Sequence, residues 1–128
     1  MEKQKKILIV EDDEHISKIY KIKLANDGVL VLIALDGEEA LAKIIEERPD
    51  LVVLDVMLPK KDGFWVLEQL KKKPELSKIP VIMLSNLGQK VDQDRAIALG
   101  AREYLVKVDS PIQTVIAKMK AYIGMAQP

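Results

Sequence analysis

The stretch that most constrains the fold is residues 50–59, which read DLVVLDVMLP. The four apolar residues at 51–54, bounded upstream by Pro49 and downstream by Pro59, are typical of a short strand buried on both faces of a parallel sheet. That predicted strand ends in Asp55. Because an ionised carboxylate is costly to bury unless a cation or hydrogen-bond donors meet it, we expect partners for Asp55 elsewhere in the chain.

Apolar runs of strand length alternate with segments of helical periodicity along the whole chain. The predicted strands lie at 7–10, 29–34, 51–54, 81–84 and 104–106. The apolar residues expected to face the core from the helices are Ile16, Ile19, Tyr20 and Leu24, then Leu41, Ile44 and Ile45, then Phe64, Leu67 and Leu70, and finally Ile112, Val115, Ile116, Met119 and Ile123, with a weaker helix at 91–99. This alternation favours an α/β fold with a parallel sheet covered by helices on both faces.

Residues typical of helix N-caps mark the predicted starts of several helices. Asp13 is expected to cap the first helix, and Asp36 with Glu39 predicts a capping box for the second. Asp62 is the predicted N-cap of the third helix. Ser110 is the predicted N-cap of the last, followed by a proline at the first helical position.

Composition excludes several classes of protein. The 128 residues suit one domain, 1–128, with a single core. Twenty basic and twenty acidic side chains give no overall charge to attract nucleic acid or an anionic membrane, so direct binding to either is not expected. The absence of cysteine excludes thiolate sites. The apolar run at 7–10 is far too short for a signal peptide or a membrane span, which predicts a cytoplasmic protein.

Polar side chains follow the predicted strands at the edge where doubly wound sheets form their sites. The set is Glu11, Asp12, Asp55, Ser85 and Lys107. Carboxylates drawn together repel one another, and a hard divalent cation such as Mg²⁺ is the ordinary remedy. Asp55 is then a candidate nucleophile toward a phosphoryl donor, with Lys107 and Ser85 available to bind phosphoryl oxygens.

These residues, together with DVMLP at 55–59 and Asp-Gly at 62–63, closely resemble the receiver domain of two-component response regulators. The resemblance covers essentially the whole chain. It implies a flavodoxin-like, doubly wound (βα)5 fold with strand order 2-1-3-4-5. It also implies that Asp55 accepts a phosphoryl group from a phosphohistidine on a sensor histidine kinase or phosphotransfer protein.

The resemblance further implies a set of Mg²⁺ ligands. The residue matching Asp12 binds the ion directly, and the residue matching Glu11 binds it through water. Asp55 is itself a ligand, and Met57 contributes its backbone carbonyl. Asp13 is expected only to cap the first helix.

The resemblance also implies a conformational switch. Phosphorylation of Asp55 would draw Ser85 inward, and Tyr104 would follow. That movement reshapes the face made by the fourth predicted helix, the fifth strand and the last predicted helix, where a downstream protein would bind or a dimer would form. Physically, this is a charge change that biases a bistable element.

One position departs from the family pattern. Receivers usually carry a proline, preceded by a cis bond, directly after the conserved lysine, whereas Lys107 is followed by Val108. A cis bond costs about 3–4 kcal/mol before a residue other than proline and about 0.5–1 kcal/mol before proline. We therefore predict a trans bond here and a rearranged loop through Asp109.

The resulting interpretation is a phosphorylation-dependent signalling switch that is not a metabolic enzyme and catalyses only its own phosphorylation and dephosphorylation. It would act as a monomer or a phosphorylation-dependent dimer, and its output would pass to a partner protein. Alternatives are a receiver cut from a longer regulator with a DNA-binding or enzymatic effector, and a phosphorylation-independent interaction module. A haloacid-dehalogenase-type phosphatase needs a second Asp where Met57 stands, and a flavodoxin phosphate would be repelled by the acids at 11–13.

Overall fold

The computed structural model of the chain describes residues 3–125. Its strands are β1 (Lys6–Val10), β2 (Leu30–Ala34), β3 (Leu51–Leu54), β4 (Val81–Ser85) and β5 (Glu103–Val106). Its helices are α1 (Glu14–Ala25), α2 (Gly37–Glu47), α3 (Gly63–Lys71), α4 (Pro74–Ser77), α5 (Lys90–Ala98) and α6 (Ile112–Tyr122). All neighbouring strands pair in parallel in the order β2-β1-β3-β4-β5, which confirms the predicted flavodoxin-like topology.

Successive residues of each inner strand contribute to opposite faces of the sheet, as the two-residue period of a strand requires. In β3, Val52 and Leu54 pack in the cluster that includes α2, α3 and α5, while Leu51 and Val53 pack in the cluster that includes α1 and α6. The four side chains of β3 are at most 2 % exposed. The continuous apolar run at 51–54 therefore reflects a strand that has no solvent-facing side.

The predicted helix starts are mostly confirmed. Asp13 accepts the amide hydrogens of His15 and Ile16, and Asp62 accepts that of Trp65. At α2, Asp36 accepts the Glu39 amide, and the Glu39 carboxylate in turn accepts the amide of Leu35. That amide lies one residue before the position a capping box uses.

The prediction for Ser110 is wrong. Helix α6 begins one residue later than predicted, with Pro111 in the N-cap position, and the Ser110 hydroxyl instead donates to the carbonyl of Val106, 2.8 Å away. A 3-10 turn at Lys107–Asp109 sets this geometry. The serine therefore closes the turn that follows β5 and leaves the helix without a side-chain cap.

Two residues expected in the core lie on the surface. Ile19 of α1 and Ile45 of α2 are each 41 % exposed, while the buried positions are filled by Ser17 and Ala40. The buried stripe of each helix therefore includes a small residue and leaves at least one of its isoleucines on the surface. The short helix α4 was not predicted, because four residues are too few to show helical periodicity.

The turn from β3 into α3 depends on a glycine. A Cβ at Gly63 would lie 2.4 Å from the carbonyl oxygen of Asp55, and the Gly63 amide donates to the carbonyl of Val56 at 2.9 Å. The start of α3 is thus pressed against the backbone that carries Asp55. Within residues 3–125, no helix is both long and apolar enough to cross a bilayer.

A polar cluster connects β5 to α6. The Glu103 carboxylate accepts a hydrogen bond from the Lys118 ammonium at 2.5 Å and another from the Tyr122 hydroxyl at 3.0 Å. The Lys118 contact, helped by Tyr122, holds the pKa of Glu103 below its ordinary value, although partial burial opposes it. Ionised Glu103 therefore stabilises the docking of the last helix.

Replacing Glu103 by glutamine tests this contribution. A lowered native pKa stabilises the fold fully above the ordinary carboxyl value of about 4.3 and loses that effect as the pH falls through the native value. Glu103→Gln should therefore lower the free energy of unfolding by about 0.2–1 kcal/mol near neutral pH, and by less in acid. Thermal unfolding of both proteins from about pH 7 to about pH 2.5 measures the difference. Glu46→Gln, at an exposed glutamate of α2, is the control, and a deficit that persists unchanged in acid would contradict the assignment.

Candidate functional site

The carboxyl ends of β1 and β3 bring two of the predicted site residues together. In the ladder between these strands Val10 pairs with Leu54, so Glu11 and Asp55 follow at equivalent positions. The Asp55 amide donates to the carbonyl of Val10 at 3.2 Å, which continues the ladder by one step. The register of β1 against β3 thus fixes where both acids leave the sheet.

Glu11, Asp12 and Asp55 form one cluster, with a carboxylate oxygen from each lying within 4.8 Å of the others. Glu11 is 4 % exposed and Asp55 is 5 % exposed, whereas Asp12 is exposed. The cluster is therefore buried on the side of the sheet and open to solvent on the side of Asp12. Oxygen ligands in this arrangement suit a hard divalent cation.

Lys107, directly after β5, reaches across β4 to the acids. Its Nζ lies 2.6 Å from Asp55 Oδ2 and also donates to Glu11 Oε1. The lysine side chain is 18 % exposed, and those of Glu11 and Asp55 are 5 % and 7 % exposed. One cation therefore meets two buried carboxylates, which confirms the expectation that a buried Asp55 has a charged partner.

Burial and ion pairing act in opposite directions in this triad. Burial raises the pKa of Glu11 above its ordinary value, although the Lys107 ammonium opposes the shift. Burial alone would lower the pKa of Lys107, but its hydrogen bonds to Asp55 and Glu11 outweigh that effect and the pKa is raised. Lys107 is therefore charged across the physiological pH range.

Backbone amides complete the hydrogen bonding of the two buried carboxylates, Glu11 and Asp55. The amide of Met57 donates to Asp55 Oδ1 at 3.0 Å, and the amide of Asp13 donates to Glu11 Oε2 at 3.1 Å. The Met57 side chain is 61 % exposed above this edge of the sheet. Among the described residues, every buried side-chain nitrogen and oxygen has a hydrogen-bond partner.

Ser85 and Tyr104 lie in the neighbouring strands β4 and β5. Ser85 ends β4 with no exposed surface, and its Oγ accepts the amide of Leu87 at 3.2 Å. Tyr104 is half-buried, and its hydroxyl donates to the carbonyl oxygen of the same Leu87. Burial raises the pKa of the Tyr104 phenol. Both side chains are thus attached to the loop that follows β4.

The peptide bond before Val108 is trans, as are all peptide bonds in residues 3–125, which confirms that part of the loop prediction. The Val108 amide donates to Asn86 Oδ1 at 3.1 Å. Sequence reasoning did not identify Asn86 as a contact of this loop. The signal that was present was the absence of a proline after Lys107, because only a residue other than proline has an amide hydrogen to donate.

The family is decided by a match that covers most of the chain. Residues 7–118 match the family model described as the response regulator receiver domain. The chain belongs to this receiver family. This receiver is 43% identical over 123 residues to the alkaline phosphatase synthesis transcriptional regulatory protein PhoP of Bacillus subtilis, covering 96% of this chain and 50% of PhoP. It is 47% identical over 108 residues to the probable transcriptional regulator ycf27 of Cyanophora paradoxa, covering 84% of this chain and 44% of ycf27.

Solved structures give the same result for the fold. The phosphorylated cyanobacterial phytochrome response regulator RcpA superposes on this receiver with a TM-score of 0.86 and 32% identity, covering 98% of each chain. The Mn²⁺-bound form of the response regulator Rcp1 superposes with a TM-score of 0.82 and 28% identity, covering 97% of this chain and 99% of that one. The receiver spans about half the length of the curated relatives it matches, between 42% and 54% of each.

Removing the Lys107 charge should destabilise the receiver strongly. Lys107→Met leaves Glu11 and Asp55 buried without their cation, which should cost about 3–5 kcal/mol of unfolding free energy near neutral pH. The wild-type contribution is fully present below the ordinary lysine pKa and is lost only as the pH rises through the raised native value.

Urea unfolding near pH 7 and near pH 5 measures the effect, and the deficit should shrink at the lower pH because protonation relieves the unpaired acids. Lys118→Met, which breaks a more exposed ion pair, is the matched control and should cost about 0–1 kcal/mol. A cost for Lys107→Met as small as that of the control would contradict the triad's role in stability.

Proposed function

We propose that this receiver is the phosphorylation switch of a two-component system and that Asp55 is its phosphoacceptor. The observation that carries the proposal is the Lys107 ammonium 2.6 Å from Asp55 Oδ2, beside the carboxylates of Glu11 and Asp12. A buried nucleophile, a fixed cation and a cluster of oxygen ligands at one sheet edge are the parts that phosphoryl transfer requires.

The transfer joins an Asp55 carboxylate oxygen to phosphorus. The phosphorus–nitrogen bond of a phosphohistidine, protonated on its other ring nitrogen, breaks in the same step. The bonding electron pair goes to the ring nitrogen, which leaves as part of a neutral imidazole that keeps that proton. Lys107 Nζ, already beside Oδ2, binds a phosphoryl oxygen as the charge arrives, and the Ser85 hydroxyl binds another. Because Lys107 is fixed beside Asp55 in advance, its charge needs little reorganisation during the reaction.

The donor set fits Mg²⁺. The available ligands are carboxylate oxygens, one of which belongs to the exposed Asp12 and leaves a route for the ion to enter. Asp12 and Asp55 would bind the ion directly, Met57 through its backbone carbonyl, and Glu11 through water. When bound, Mg²⁺ supplies charge neutralisation for the phosphoryl oxygens. The similar regulator Rcp1 is described as having a Mn²⁺-bound form, which supports the proposal that this receiver binds a divalent ion.

The switch would run from Ser85 to Tyr104 through the loop after β4. Both side chains bond to Leu87 in the unphosphorylated chain. Moving Ser85 Oγ toward a phosphoryl group requires its bond with the Leu87 amide to break. Leu87, whose carbonyl accepts the Tyr104 hydroxyl, then loses one of its two side-chain attachments. The reshaped face would be formed by α5, β5 and α6. This is the face predicted from the sequence: the fourth predicted helix is α5 in the structure, because the short helix α4 was not predicted.

The input would come from a sensor histidine kinase or a phosphotransfer protein, and the output would go to a downstream protein or an effector domain. PhoP and ycf27 are described as transcriptional regulators and are about twice as long as this chain, which favours a DNA-binding effector as the second candidate for the output. Catalysis would be limited to self-phosphorylation and dephosphorylation. The cytoplasmic location, the extent of the domain at 1–128 and the oligomeric state stay predictions.

Intact mass after incubation with acetyl phosphate tests the phosphoacceptor. One phosphoryl group should appear on the wild type with Mg²⁺, and none with EDTA. Asp55→Asn should stay unmodified, because an amide oxygen does not displace acetate. Labelling of Asp55→Asn to the wild-type extent would place the phosphoryl group elsewhere.

Failure of the wild type to be labelled by acetyl phosphate and by a panel of histidine kinases, together with an absence of Mg²⁺ binding, would favour the phosphorylation-independent interaction module. The two measurements are independent, because Mg²⁺ binding is measured without a phosphoryl donor.

Adjacent acids provide a matched pair for the metal site. Asp12→Ala removes a direct ligand and should weaken Mg²⁺ binding by at least about tenfold, as measured by calorimetric titration. Asp13→Ala removes the N-cap of α1 and should cost about 1 kcal/mol of stability while leaving Mg²⁺ affinity unchanged. Equal losses of Mg²⁺ affinity in the two variants would contradict the assignment of Asp12 as a ligand.

A further inference from the structure

The loops that follow β4 and β5 are connected by a hydrogen bond between residues outside the predicted site. The Val108 amide donates to Asn86 Oδ1 at 3.1 Å. The β4–β5 ladder ends at the pair Ser85 and Val106. The bond therefore lies just beyond the last paired residues of the ladder and connects the two segments that follow β4 and β5. We call this hydrogen bond the 86–108 clamp.

The clamp joins the residue after Ser85 to the residue after Lys107. Each partner is covalently next to a side chain that the proposed reaction uses. A shift of Asn86 therefore moves the backbone of Ser85, and a shift of Val108 moves the backbone that carries Lys107. Because the clamp fixes the distance between these two points, it restrains the two functional side chains relative to each other.

Packing does not explain the contact. The Val108 side chain is 78 % exposed, and Asn86 is exposed as well. What Val108 contributes is its amide hydrogen, which a proline would lack. An exposed hydrogen bond contributes little to global stability, so a role for this one is expected in local geometry.

The other contacts of the loop after β4 also connect it to residues of the proposed switch. Leu87, next to Asn86, accepts the Tyr104 hydroxyl through its carbonyl and donates its amide to Ser85 Oγ. The loop is thus attached at three places, to Ser85, Tyr104 and Val108. The clamp is the attachment that leads toward Lys107, whose Nζ contacts Asp55.

We propose that Asn86 is a positioning residue that, through the Val108 amide, holds Ser85 and Lys107 in register at the phosphoacceptor. The inference rests on the proposed function, because it assigns Asn86 a part in the same phosphoryl transfer. Without the clamp, Lys107 and Ser85 sample more positions, and the fraction of the chain in which both can meet the incoming phosphoryl group falls.

The first measurement uses the unphosphorylated chain. Hydrogen exchange at the Val108 amide, followed by NMR, should quicken by about two- to tenfold in Asn86→Ala, the range that one net hydrogen bond supplies. Val108→Ala keeps the amide and should keep its protection. An unchanged exchange rate in Asn86→Ala would mean that the clamp is not formed in solution and would overturn the inference.

The second measurement is the rate of labelling by acetyl phosphate with Mg²⁺, followed by intact mass. Asn86→Ala, which removes the acceptor, should label about two- to tenfold more slowly than the wild type. Asn26→Ala, at the chain's other asparagine, should label at the wild-type rate.

The outcomes separate this inference from the proposed function. A wild type that neither acetyl phosphate nor the histidine kinases label and that binds no Mg²⁺ would overturn both. A labelled wild type with Asn86→Ala labelling equally fast would overturn the positioning role alone. Thermal unfolding of each variant distinguishes positioning from a loss of structure, because slower labelling that tracks a lower unfolding midpoint would assign Asn86 a structural role only.

Discussion

The ion pairs of Lys107 with Asp55 and Glu11 are the interaction on which the rest of the site depends. Two carboxylates that are nearly inaccessible to solvent would otherwise repel each other in a medium of low polarity. A single ammonium at the end of β5 neutralises them and leaves the exposed Asp12 on the solvent side. In the proposed phosphoryl transfer, the same charge that stabilises the acids in the folded chain would bind a phosphoryl oxygen.

The strand order makes this interaction possible. In the strand order β2-β1-β3-β4-β5, the strand that leads to Asp55, β3, is central. The strand that leads to Glu11 lies on one side of it, and the strand that ends in Ser85 lies on the other. Lys107 comes from the strand beyond β4, so its long side chain is what reaches the acids. The close approach of Gly63 to the Asp55 backbone holds that centre in place, because no side chain separates α3 from it.

The site could be listed from the sequence because each of its residues follows an apolar run, and parallel strands end at a common edge. The contact between Asn86 and Val108 could not be found in this way. Asn86 lies in a loop, and its partner is a backbone amide, which carries no sequence signal beyond the absence of proline at 108. Ile19 and Ile45 were misplaced for a related reason. Helical spacing identifies an apolar stripe, but the way each helix packs in the folded chain decides which side of the stripe is buried.

The sequence by itself determined the alternation of strands and helices, most of the caps and the set of acids and base at the strand ends, because these depend on local periodicity and on hydrogen bonds between near neighbours. Tertiary structure alone decided that Lys107 pairs with Asp55 and Glu11 together, that Ser110 closes a turn and does not cap α6, and that Asn86 meets Val108. Those contacts depend on how loops from different strands meet, and the energy of each is shared among groups that are distant along the chain.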